Sequence, residues 1–169
     1  MPLPLRILAI MFLKAGPQHL PYSASLLATM TLLYLASGVL VLATAMDINQ
    51  AIANMMLDVV VLFAFSYFCL ALLMLKARFV QMVTALAGIG TVYHLLAWPL
   101  FIKIHGMQAQ EQGATIAALL MLLLISWQVL VYAHVFSHAM QMSMTRALAL
   151  SFGYLFLSMA AAQIIFPGS

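Results

Sequence analysis

The chain is 169 residues long, 67% apolar and 5% charged, with a formal net charge of +3. A soluble chain averages near half apolar and about a quarter charged, so water cannot be the solvent that this sequence is built for. Six Lys and Arg scattered along the chain are too sparse for a nucleic-acid footprint, and a nucleic-acid partner is excluded.

Taken in chain order, the first segment, residues 1–21, reads as a cytoplasmic arm. Leu5, Leu8 and Phe12 share a helical face with Ile7 and Met11, while Arg6 and Lys14 can reach lipid phosphates. That pattern predicts a short interfacial helix. Lys14 interrupts the apolar stretch and no small-residue cleavage site follows, so the arm is expected to be retained. Pro17 and Pro21 stop it from running into the next element, for which Ser23 or Ser25 offers a cap.

Residues 22–169 then predict a five-helix transmembrane domain, an all-α polytopic bundle. The expected spans are Tyr22 to Ala45, Ile52 to Leu75, Phe79 to Ile104, Ala114 to His138 and Thr145 to Phe166. Each is near the ~20 residues that a helix needs to cross ~30 Å of hydrocarbon. The breaks between them are Asp47-Ile48-Asn49-Gln50, Lys76-Ala77-Arg78 and the polar stretch from His105 to Gly113, and Pro167-Gly168 closes the last. Helix is required because an open strand edge in lipid leaves backbone amides unpaired. Pro99 falls toward the outer end of the third span, where neighbours can serve the carbonyl it leaves without a donor.

If the spans alternate, Arg6, Lys14, Lys76, Arg78 and Arg146 fall on one side and Lys103 on the other. The positive-inside rule puts the amino terminus in the cytoplasm and, with an odd number of spans, the carboxyl terminus outside; a bacterial inner membrane is the expected location.

Five spans, the arm Pro4-Leu5-Arg6-Ile7-Leu8 and the turn Pro17-Gln18-His19-Leu20-Pro21-Tyr22-Ser23 together resemble bacterial members of the Yip family, the Ypt-interacting proteins. Gly153-Tyr154 is similar to the family's late Gly-Tyr element, without its following proline. The acidic Asp-Leu-Tyr-Gly-Pro signature of eukaryotic members, which act in membrane traffic, is absent. The resemblance implies a non-enzymatic membrane protein, and it carries over no ligand and no catalytic residue.

An ionisable group in lipid costs several kcal/mol and ordinarily faces a partner or a cavity. At ~1.5 Å per residue, Asp58 lies roughly 9 Å and His94 roughly 15 Å from the outer ends of their spans, so the two can meet across the second and third. They offer either a packing contact or a proton or ion relay. His94 and His134 differ in depth by about 15 Å at that rise, too much for a shared haem iron, and no cofactor is expected. His134, His138, Met140, Met142 and Met144 form a run of imidazoles and thioethers of a kind that suits Cu(I); methionine is also a common gap filler in a chain with 14 of them.

Small residues one turn apart, Thr84 with Gly88 and Ala87 with Thr91 on the third span and Ser158 with Ala162 on the fifth, predict close helix approach and a central third span. Tyr34 is expected in mid-span, where its hydroxyl needs a partner. Trp127, Gln128 and Tyr132 make a polar stripe that predicts a helix contact. No triad, phosphate loop or paired carboxylates are visible. The sequence therefore predicts a non-enzymatic structural, assembly or membrane-organising component working through helix–helix and lipid contacts, with the bilayer and either further copies or other membrane proteins as partners. The alternative is a small transporter or channel using Asp58 and His94.

Overall fold

The computed structural model describes residues 2–106 and 111–166. Among these residues the fold is all-helical: α1 (Leu3–Met11), α2 (Ala24–Leu42), α3 (Ile48–Leu72), α4 (Phe79–Gly106), α5 (Glu111–Met140) and α6 (Met144–Ile165). The last five are each long and apolar enough to cross a membrane. Residues 107–110 and the Pro167-Gly168 stop lie outside the described residues.

Local chemistry sets the helix ends. Ser23 caps α2 by accepting from the Leu26 amide at 3.2 Å. Asp47 caps α3 by accepting from the Asn49 amide at 2.9 Å. That cap starts α3 four residues earlier than the apolar run begins, so Ile48, Asn49 and Gln50 form its first turn instead of a break. Helices α1, α3 and α5 close in one manner: Leu13, Met74 and Gln141 take left-handed φ values of 60°, 57° and 54°. The next amide in each case bonds back five residues, Lys14 to Ala9, Leu75 to Leu70 and Met142 to Ser137. This is the closure that usually employs glycine. Helix α4 runs on through Pro99.

Successive spans alternate in direction. One end of the bundle thus gathers the starts of α2, α4 and α6 with the ends of α3 and α5, and holds Lys76, Arg78 and Arg146; it is called the basic end below. Helix α4 is the centre, packed against α1, α2, α3 and α5, and residues 82–90 are buried without interruption. Thr84, Ala87 and Gly88 lie in that stretch, and α6 packs against α3 and α5.

The amino-terminal arm is held tightly. Ile7, Ile10 and Met11 of α1 are buried in the core, whereas Leu5, Leu8 and Phe12 are exposed. The face read from the sequence is therefore split: Ile7 and Met11 turn into the bundle together with Ile10. A Cβ on Gly88 would come within 2.9 Å of Ile7 Cδ1, so the glycine admits the arm. Beyond α1 the chain folds back, with the Arg6 Nη1 donating to the His19 carbonyl at 2.9 Å and His134 Nε2 donating to the Ala15 carbonyl at 3.0 Å.

Candidate functional site

Asp58 sits ten residues into α3, roughly 15 Å from that end at 1.5 Å per residue, in the middle of the span. Its carboxylate is the hub of a set of hydroxyl donors. Tyr34 of α2 donates to Oδ2, and Ser158 of α6 donates to Oδ1. Tyr154 of α6 also donates to Oδ1, at 3.4 Å. One side chain thereby ties three helices.

His94 of α4 joins the set through Tyr34. The two rings stack with centroids 4.8 Å apart and planes 25° from parallel. His94 Nδ1 lies 3.0 Å from the Ser37 hydroxyl, which is itself 3.0 Å from the Tyr34 carbonyl. The single Ser37 proton serves one of these two neighbours. Asp58 and His94 are thus brought into one cluster, with Tyr34 as the joint between them.

Two glycines make room for this arrangement. A Cβ on Gly38 would run into the Met55 side chain and approach His94 Cε1 at 2.9 Å; one on Gly90 would overlap the Tyr34 ring and approach the Tyr132 hydroxyl at 2.9 Å. Tyr132 donates to the Leu86 carbonyl at 3.3 Å and its ring lies 5.9 Å from that of Tyr154. The stripe on α5 is a helix contact, as its spacing predicts, with Trp127 set edge-on to Tyr93 at 5.5 Å.

Ser158 has a more specific part than the small-residue pattern assigned to it, because its hydroxyl is one of the Asp58 donors; Ala162 is half-buried one turn further on. Thr84 and Thr91 turn their hydroxyls back onto the carbonyls of Val80 and Ala87, which lets a polar residue sit at a helix interface without an outside partner.

At the basic end, His134 and His138 pack edge to face with centroids 4.4 Å apart. Met140 is buried in the core, and Met142 and Met144 pack against it. Among the described residues, no group of three or more His, Cys, Asp or Glu is placed to hold a metal ion. No family profile, curated protein or solved structure matches this chain. What the fold defines is a multi-pass membrane protein with five candidate spans.

Proposed function

We propose that the chain is a non-enzymatic membrane component that organises helices and lipid, residing in a bacterial inner membrane with its amino terminus in the cytoplasm. The observation that carries this reading is the Asp58 carboxylate, supplied with donors by Tyr34, Tyr154 and Ser158 from two other helices. Magnitudes favour a part in specifying geometry. A carboxylate at the centre of a span costs about 3 kcal/mol, and three interhelical hydrogen bonds at about 0.6–1.7 kcal/mol each offset a comparable sum. The hub adds little net stability but permits one arrangement of α2, α3 and α6. The resemblance to the Yip family supports the same class.

A second reading, a small proton or ion transporter, is favoured by the run of exchangeable groups Asp58, Tyr34, His94 and Ser37. One experiment separates the two. Wild type, Asp58→Asn and Asp58→Leu are reconstituted in liposomes with a pH dye and an applied potential, and thermal stability is measured in parallel. The organising role predicts no flux, a fold kept by Asp58→Asn and one weakened by Asp58→Leu. A wild-type flux lost in Asp58→Asn at unchanged stability would establish the transporter instead.

A further inference from the structure

Among the described side chains the acidic ones, Asp47 and Asp58, lie away from the basic end: Asp47 caps α3 at the opposite end, and Asp58 is in mid-span. Among the described residues, the cations of the basic end therefore have no carboxylate within reach, which leaves them open to an anion from outside. A cleft of about 390 Å³ opens there between the returning arm and the ends of α4 and α5. Its walls include Gln18, Arg78, Gln81, Ser137 and His138.

Arg78 is the organised cation of this cleft. Its Nη1 donates to the carbonyls of His138 at 3.2 Å and Ala139 at 3.1 Å, which fixes the guanidinium against the end of α5. A guanidinium has five N–H donors. Two are used on these carbonyls, and the three on Nε and Nη2 have no partner among the described residues. The cleft is shaped by fixed neighbours: Gln81 Nε2 donates to the Leu20 carbonyl at 2.7 Å, and Ser137 to the His134 carbonyl at 2.8 Å. The exposed His138 imidazole stands beside it.

We propose that this cleft binds the phosphate of an anionic phospholipid headgroup, with Arg78 as the anchor. An oriented guanidinium fork matches phosphate oxygens in charge and in geometry. The source is lipid because the cleft lies where two candidate spans end, Lys76–His105 and Thr115–Met140, the level at which headgroups sit, and because basic recesses between membrane helices suit anionic headgroups. Pro17 and Met82 give the same cleft an apolar wall for the glycerol backbone.

The test is native mass spectrometry of the detergent-purified full chain titrated with phosphatidylglycerol, phosphatidylcholine or inorganic phosphate. Wild type should keep one phosphatidylglycerol through gas-phase activation that strips phosphatidylcholine. Arg78→Gln should lower that occupancy about tenfold, a loss of ~1.4 kcal/mol. Since Arg78 also holds the end of α5, Ser137→Leu provides the second variant: it fills the cleft, leaves the guanidinium and its carbonyls in place, and should lose the lipid equally. Equal retention of the two lipids, or full retention in both variants, would overturn the proposal. Displacement of phosphatidylglycerol by equimolar inorganic phosphate would overturn the lipid source.

Discussion

Tyr34 lies flat against the His94 imidazole, 4.8 Å between centroids, while its hydroxyl donates to Asp58. A ring at the centre of the span thus joins a carboxylate on α3 to an imidazole on α4, and removing only its oxygen separates the two connections.

Tyr34→Phe should keep the stack and remove a donor from Asp58. We expect a loss of about 1–3 kcal/mol, the cost of leaving a buried polar group short of a partner, read as a lower melting temperature in detergent. Tyr93 is the control, since its buried hydroxyl has no partner among the described residues. Tyr93→Phe should be neutral or stabilising. Equal losses in the two variants would show that the Asp58 bond contributes nothing specific.

The arm gives a test of packing against surface attachment. Ile10 is fully buried, whereas Leu8 is exposed. Ile10→Ala should cost about 2–5 kcal/mol as a buried truncation, and Leu8→Ala should fall within about 0.5 kcal/mol. Chemical or thermal denaturation in detergent measures both. A larger effect at Leu8 would mean that the arm is held by lipid and not by the bundle.

Orientation is checked by reporter fusions. A phosphatase joined after Ser169 should be active, reporting outside, and one joined after Lys76 inactive, reporting the cytoplasm. The opposite pair of signals would place the Arg78 cleft on the outer face.

Metal analysis of the purified protein should find no stoichiometric copper, because Met140 is enclosed by the core and Met142 and Met144 pack against it. One full equivalent, lost on replacing the three methionines together, would show that the thioethers turn out to meet a metal.

The spans were legible because hydropathy and length report directly on a bilayer. Asp58, His94 and the partner-seeking Tyr34 were legible because polar groups stand out against lipid. Their connection was not: nothing in a linear sequence says that Tyr34 is the joint, and Ser158 reads as one more small residue until α6 is seen beside α3. Gly38 and Gly90 carry no signal of the rings beside them. The split face of α1 was hidden for a related reason. In a helix apolar on most sides, sequence alone does not separate positions that meet lipid from positions that meet protein, so Ile10 and Leu8 look alike.

The Asp58 hub also sets an order of assembly. Ribosomes deliver α2 and α3 before α6, so Asp58 can meet Tyr34 early, but Tyr154 and Ser158 emerge only with α6. Until α6 arrives, the carboxylate waits in the hydrocarbon with one donor of its three. A nascent chain halted before Met144 carries a second span whose carboxylate lacks the two donors of α6. Helix α6 is the clasp that completes the set of donors around the carboxylate.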